Sequence, residues 1–417
     1  MHSPAPAADF VMHSPPPGTQ VHAARPDDAE PLLGVLCAAF GLDCQAARPL
    51  FYQDPYFDLA RKWVLTTPQG GLVACLTVIP STLIVRGVAL ATGGIAGVAT
   101  HPSHQGRGYA SHLLAETVKA LAGEGAFPLS ALFPYSDSFY RRLGWETAAR
   151  ARQWTGTLAL PQEPVRGGHV RPAFLSTPYD RELLQGLRAM LPPSQTGLCR
   201  RDSRRWRVLE MTTTHWEWHV FEAHDICSGS LALQRPDDPA APIVIHEMLA
   251  ATEDARRALV TFLSQVSGGR RPLAWATSAD LPAAFGLPGD GACEAVDPGM
   301  MLRVVDLPVV LRALHPVLAP ALARARRPLT ISASDPLFPG SAAPWRLSAH
   351  GVEPGTAADP DCLRAPISAL APIVSGDCLP SVLAAQGQLE ASSPATLALA
   401  DQLFPLTRPF IAPADQF

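Results

Sequence analysis

The sequence predicts an α+β protein of three successive units, each with strands forming a sheet and helices flanking it. Two observations carry that reading. Strand-like runs give way to an amphipathic helical run twice, over 62–121 and again over 216–266, in a similar order. Clusters of Pro and Gly divide the 417 residues into pieces of domain size: Pro161, Pro164, Gly167 and Gly168 first, then Pro288, Gly289, Gly291, Pro298 and Gly299.

Residues 1–18 carry five prolines and read as a disordered leader, with Met12 as an alternative start. From 21 the texture changes. Residues 21–24 suit a strand, and Asp27 and Asp28 are placed to cap a helix whose Leu32, Leu33, Leu36 and Phe40 recur at helical spacing. Strands are expected at 62–67 and 72–79 around Gly70 and Gly71, then at 81–85 and 88–100 around Arg86 and Gly87. The fourth runs into the loop 101–109 and a helix with Ala110, Leu113, Leu114, Val118 and Leu121 on one face, stopped by Gly123 and Gly125. A strand at 129–133, a short helix over 136–143 and a turn at Gly144 and Trp145 close the first unit.

The second unit would hold strands at 216–222, 230–234 and 243–248 and a helix over 253–266. Its strand-to-helix turn, 249–254, has no glycine. If the fold is duplicated, this copy lacks the loop that carries chemistry in the first. The third unit would hold a helix over 308–326, strands at 329–334 and 345–350, a helix over 367–374, and a last helix capped by Ser393 with Pro394 at its first position.

Composition excludes several classes. With 47% hydrophobic and 17% charged residues the chain is not disordered. Thirty-three basic and 37 acidic residues leave a net charge of −4, without the basic excess of a nucleic-acid binder. Lys62 and Lys119 are the only lysines, a bias that together with 43 prolines points to genome composition. The eight cysteines form no C-x-x-C pair and lie at no zinc spacing, so no metal is expected. The start lacks the charged and apolar regions of a signal peptide, and no run of 18 apolar residues occurs. A cytoplasmic setting with reduced thiols is expected, with no membrane or nucleic-acid partner.

The strongest chemical signal is the run Gln105, Gly106, Arg107, Gly108, Tyr109, Ala110 between an apolar strand and an amphipathic helix. Glycines there bring the main chain close to a ligand, and the free N–H groups at the helix start favour an anion such as a pyrophosphate. No G-x-G-x-x-G followed by a spaced acid and no G-K-[ST] is present, so dinucleotide and Walker readings fade. The pattern Gln105-x-x-Gly108-x-Ala110, preceded by 98–102, resembles the acyl-CoA pyrophosphate loop of the GNAT superfamily of N-acetyltransferases. Tyr140 to Trp145, some way further on, is similar to that superfamily's second motif.

The resemblance implies direct transfer of acetyl from acetyl-CoA to an amine. It gives the amides of Val98, Ala99 and Thr100 to the pantetheine arm, and those of Gly106, Arg107, Gly108, Tyr109, Ala110 and Ser111 to the pyrophosphate. Tyr140 becomes the proton donor to the leaving thiolate. No carboxylate occurs between Asp58 and Glu116, where many such enzymes keep their base. His101 and His104 could titrate in the right range but sit in the phosphate loop.

The whole layout resembles the enhanced intracellular survival (Eis) family of aminoglycoside acetyltransferases. Supporting segments are 301–308 and the ending from Leu403 to Phe417. The resemblance implies a catalytic GNAT domain over 19–155, a degenerate GNAT-like domain over 156–300 and a sterol-carrier-protein-like domain over 301–417. It also implies a terminal carboxylate at Phe417 acting as general base, Tyr135 and Ser136 as further CoA contacts, a polycationic small-molecule acceptor, and a homohexamer built as a trimer of dimers. A free α-carboxyl titrates near 3.3–3.7, so it would act on a small neutral-amine fraction or in a desolvated site. Only one arginine, Arg107, stands in a loop where the family has a basic run. The competing readings are a protein lysine or N-terminal acetyltransferase, and a non-catalytic acyl-CoA or lipid-binding protein. Acceptor walls are expected near Phe40, Trp63, Phe133 and the tail.

Overall fold

The computed structural model describes residues 17–159, 167–287, 293–296, 298–339 and 343–417. The Pro-rich stretch before Pro17 lies outside them, as do Pro161, Pro164, Pro288, Gly289 and Gly291 of the expected joints.

In chain order the strands begin with β1 (Gln20–Ala23), β2 (Lys62–Thr66), β3 (Leu72–Val85), β4 (Val88–Thr100), β5 (Leu129–Leu132), β6 (Glu146–Ala149) and β7 (Arg152–Gly156). Next come β8 (His169–Ala173), β9 (Cys199–Arg200), β10 (Glu217–Ala223), β11 (Ile226–Gln234), β12 (Ile243–Ala250), β13 (Leu273–Thr277), β14 (Cys293–Ala295) and β15 (Met300–Val304). The last are β16 (Leu329–Ser334), β17 (Trp345–Ser348), β18 (Gly351–Pro354), β19 (Cys362–Pro366) and β20 (Glu390–Ala391).

Three mixed sheets result. The first has the order β1-β2-β3-β4-β5-β15-β6 with β9 added beside β3; the second is β14-β7-β13-β12-β11-β10-β8; the third is β18-β17-β16-β19-β20. The first two share one plan and exchange a strand. β7 leaves the first sheet to lie antiparallel to β13 and β14, and β15 returns from beyond the second sheet to lie between β5 and β6.

The elements read from the sequence are present, with two differences, and further elements join them, among them the helices Cys44–Gln53, Pro178–Met190 and Ser203–Thr212. The strands expected at 72–79 and 81–85 are one continuous β3, paired with β4 from Ala74↔Thr100 to Val85↔Val88. Pro80 sits between the last β2 partner, at Thr77, and the β9 partner at Thr82, where β3 has a neighbour on one side only and a missing N–H breaks no ladder. The helix Ala29–Phe40 does start after Asp28, but the Asp28 carboxylate accepts from the N–H of Arg25 and caps no helical amide.

The faces of the first sheet carry different cores. On one, Leu113, Leu114, Val118 and Leu121 of the helix Tyr109–Glu124 pack on Leu65, Leu76 and Val78. Each of those four helix side chains is fully buried, a stabilisation of about 1.5–3 kcal/mol apiece. On the other face the helix Ala29–Phe40 covers Val64, Cys75 and Ala99, and further along Leu83, Leu129 and Leu302 merge with Leu311, Ile331 and Leu370 of the third unit. The helix Leu307–Ala325 is long and apolar enough to cross a membrane by length and composition; its Val310, Leu311, Leu314, Leu318 and Leu322 are buried in that core.

Candidate active site

β4 is the ruler of the site. It runs parallel to β5 only from Thr92↔Leu129 to Ile95↔Leu132, yet continues to Thr100. Past Ile95 its edge toward β5 is unpaired, so the main chain of 96–100 can bond a ligand. On its other edge Cys75 pairs with Ala99 and Thr77 with Ala96, which leaves Gly97 and Val98 together opposite Leu76. This is a β-bulge, with Gly97 at φ +58, and a bulge re-aims main-chain groups beside it.

The loop after β4 turns through Gly106 and Gly108 at φ +74 and +78. It then releases the 16-residue helix Tyr109–Glu124. Only glycine takes such angles without strain. The first-turn N–H groups of that helix have no intrahelical acceptor. The loop holds its own shape: Gln105 Nε2 donates to the Thr100 carbonyl at 3.3 Å and Arg107 Nη2 to that of Ser103 at 3.2 Å.

These pieces enclose a cavity of about 470 Å³. Val98, Ala99, Thr100, Gly106, Arg107, Gly108, Tyr109, Ala110, Ser111 and Tyr135 all line it, with Phe40, His104 and Phe139. Ser136 does not; its Oγ lies 3.3 Å from that of Ser138 at the start of the next helix. The lining combines the main chain of the loop and helix start, Arg107 and His104 with the rings of Phe40, Tyr109, Tyr135 and Phe139, a mix that suits a phosphate-bearing ligand. Among the described residues no three His, Cys, Asp or Glu side chains group as a metal site.

Tyr140 stands on the helix Asp137–Arg141 with 3% of its surface exposed, edge-on to Phe139, Tyr135 and Trp145 at 4.9, 5.9 and 6.3 Å between ring centres. Burial, with Tyr135 adding to it, pushes its phenol above the usual tyrosine value, so it keeps its proton at neutral pH. The turn that follows is built around Arg303 of β15. A Cβ at Gly144 (φ +92) would lie 1.6 Å from Nη1 of that side chain, which also bonds the Leu143 carbonyl and pairs with Asp335.

Phe417 lies against β4 at Gly94, where a Cβ would come within 2.6 Å of its ring, and edge-on to Phe133 at 5.4 Å. Gly94 pairs with Ile79, on the face that carries Cys75 and Leu83 and opposite the helix Tyr109–Glu124. Two further cavities meet at Phe417. One, of about 540 Å³, is lined by Ile79, Thr82, Ala91, Tyr56, Arg200 and Arg205 among others. The other, of about 600 Å³, touches β4 at Ala96 and is walled by Tyr56, Asp54, Trp216 and His246. His246 stacks on Trp216 at 3.7 Å, and burial, with His215 beside it, lowers its pKa to about 4, so this imidazole is neutral at pH 7. Ala96, on the wall of the 600 Å³ cavity, and Val98, on the wall of the 470 Å³ cavity, are two residues apart on β4, a step of about 7 Å.

The tail is held by charges that sequence reasoning did not single out. Asp415, fully buried, accepts from Arg188 Nη2 at 2.9 Å and Arg201 Nε at 2.6 Å. Glu247 of β12 pairs with the same two arginines, and Arg205 donates to the carbonyls of Ala414 and Gln416. Arg188, Arg201, Arg205 and Glu247 all belong to the second unit and lie far from the tail in sequence, so no local spacing announced them. Gly94 was legible only as a glycine inside a strand, a sign of close approach. Of the expected walls, Phe40 lines the CoA-side cavity and Phe133 touches Phe417, but Trp63 packs into the core on the helix side and reaches neither acceptor cavity. His101 and His104 stay with the phosphate loop.

Comparison with known proteins agrees with this architecture. Residues 20–148 and 197–304 match two families described as acetyltransferase (GNAT) domains, and residues 312–412 match a sterol carrier protein domain. An uncharacterized N-acetyltransferase of Streptomyces griseus is 26% identical over 261 residues, so the match spans 55% of this chain and 60% of that relative's length. Among solved structures, a GCN5-related N-acetyltransferase from Anabaena variabilis shares 20% identity at a TM-score of 0.77, covering 96% of this chain and 100% of that one. One from Kribbella flavida shares 20% at 0.77 over 96% and 98%, and Eis1 from Mycobacterium abscessus 22% at 0.75 over 95% and 100%. At these identities the structures show the fold. The family matches give the chain two GNAT acetyltransferase domains followed by a sterol carrier protein domain.

Proposed function

We propose that the protein is an N-acetyltransferase of Eis type that uses acetyl-CoA to acetylate an amine of a small molecule. The observation that carries this is β4: a glycine-loop cavity opens at its bulge, and Phe417 sits two residues before Ala96 on the other side. Acetyl-CoA supplies the activated acetyl thioester. The N–H groups of Val98, Ala99 and Thr100 would hold the arm and the thioester oxygen as charge develops there. Those of Gly106, Gly108, Tyr109, Ala110 and Ser111, with Arg107, would hold the pyrophosphate. Tyr135 would border the CoA channel, and Ser136 would contribute from the start of the next helix.

Tyr140, kept protonated by burial, would deliver its proton to the sulfur as the C–S bond breaks. The α-carboxylate of Phe417 would take the proton the amine loses as the new C–N bond forms. A domain division near 155 and 300, across which β7 and β15 are exchanged, and a hexameric trimer of dimers belong to the same reading, as does a cytoplasmic setting in which the described cysteines stay reduced. The polycationic, aminoglycoside-type acceptor that the resemblance implies sets the first compounds to try; the carboxylates on the walls beside Phe417 are Asp54, Asp202 and Asp415.

The test is thiol release from acetyl-CoA by full-length protein against aminoglycosides, polyamines and lysine peptides. Tyr140→Phe should lower kcat by roughly 10²–10⁴-fold with acetyl-CoA binding retained. Adding one alanine after Phe417 should do the same. Full turnover in both variants would remove the assigned roles, and acetyl-CoA binding without transfer to any amine would favour the binding-protein reading.

A further inference from the structure

The cavity between Phe417 and β3 has donors to spare. Its charged lining consists of Arg200, Arg201 and Arg205 against Asp202, Asp415 and the Phe417 carboxylate assigned above as base. Asp415 is engaged by Arg188 and Arg201, and Oδ1 of Asp202 by the Tyr56 hydroxyl at 3.0 Å and the main-chain N–H of Arg205 at 2.8 Å. Arg201 and Arg205 are each 8% exposed, and Nη1 of the first and Nε of the second are buried without a hydrogen-bond partner. Arg200 stands on the exposed end of β9, beside Thr82, with no carboxylate within 4 Å among the described residues.

Unpaired buried donors cost free energy, and a wall that holds several is complementary to an acceptor of hydrogen bonds. A polycation would bring more donors to it. A carboxylate matches the planar guanidinium fork, and about 540 Å³ admits a small molecule.

Resting on the transferase reading above, we infer that the acceptor amine carries a carboxylate, which the Arg200, Arg201 and Arg205 wall binds while the amine faces Phe417. The acceptor class is then an amino acid or a small amino-carboxylate. Arg200 is its accessible, specificity-determining contact.

The experiment uses matched pairs in the thiol-release assay: lysine against 1,5-diaminopentane, and 4-aminobutanoate against propylamine, with kanamycin as the polycation and acetyl-CoA binding followed separately by calorimetry. The carboxylate-bearing member of each pair should show a KM lower by roughly tenfold, the scale of one charge-assisted hydrogen bond. Arg200→Gln should remove that advantage through KM, leaving kcat and the KM of the decarboxylated partner within about twofold. Arg200→Glu should invert the preference. Equal or better kcat/KM for the decarboxylated amines or kanamycin in the unaltered protein overturns the inference and leaves the transferase standing. Acetyl-CoA binding with no amine acetylated overturns the transferase reading, and the inference with it.

Discussion

The first and second sheets start from one plan and diverge where it matters for chemistry. In both, the strand before the long helix pairs in parallel with its neighbour for a few residues and then runs on unpaired: β4 with β5 to Ile95, β12 with β13 to Ile245. Both carry a register shift in that strand, at Gly97 and Val98 in one and at His246 in the other. The turns then differ. After β4 two glycines at positive φ leave the helix start open to an anion. After β12, Thr252 caps the N–H of Ala255, and Glu253 and Asp254 occupy the first turn, with Glu253 paired to Arg256. An acidic first turn suits the helix dipole and repels a phosphate. The second copy uses its strand otherwise: His246 walls the acceptor side, and Glu247 helps to anchor the tail.

Breaking the tail anchor gives the largest expected effect. Asp415→Ala leaves Arg188 and Arg201 buried with only Glu247 between them, a cost of about 3–5 kcal/mol, to be read as a drop in denaturant midpoint together with lost turnover. Acid should act on the same contact. Burial pushes the Asp415 carboxyl up, but Arg201 and Arg188 outweigh it and hold the group below the ordinary carboxylate value. Its contribution is therefore whole above about pH 4 and lost as pH falls toward the folded value; Asp415→Asn should flatten that acid limb in unfolding curves against pH.

Gly94→Val should come next. Its side chain would occupy the space of the Phe417 ring, displacing the tail end while sparing the loop on the other side. Turnover should fall by about 10²-fold, the effect of a misplaced group near the chemistry, with acetyl-CoA affinity unchanged. A parallel loss of affinity would show that the two sides are not separate.

The smallest pair sharpens the comparison of the helix starts. Gly108→Ala puts a side chain at φ +78, costing about 1–2 kcal/mol, and should weaken acetyl-CoA binding. Thr252→Ala removes a cap worth about 1 kcal/mol and should lower stability alone, since that turn holds no phosphate. Calorimetric titration with CoA on both variants decides it.

Much of this was legible in the sequence, for local reasons. The helix of 109–124 and its glycine stop, the strand 88–100 and the Ser393 cap, whose Oγ accepts from Thr396 N at 3.1 Å, follow from periodicity and end chemistry carried by neighbouring residues. The phosphate loop was legible because its glycines and helix start are contiguous. The unity of β3 across Pro80 was not, since it depends on which flanking strands stop short of that residue.

The sequence by itself determined the long helices at 109–124 and 253–267, the strands around them, the glycine loop and the presence of a phenol at 140, because each is set within a few residues by backbone freedom, side-chain period or capping. Tertiary structure alone decided the exchange of β7 and β15, the cradle of Gly94 for Phe417, and the meeting of Arg188, Arg201 and Arg205 with Asp415. Those contacts join residues hundreds of positions apart, and charge pairing or close packing at such range leaves no periodic trace along the chain.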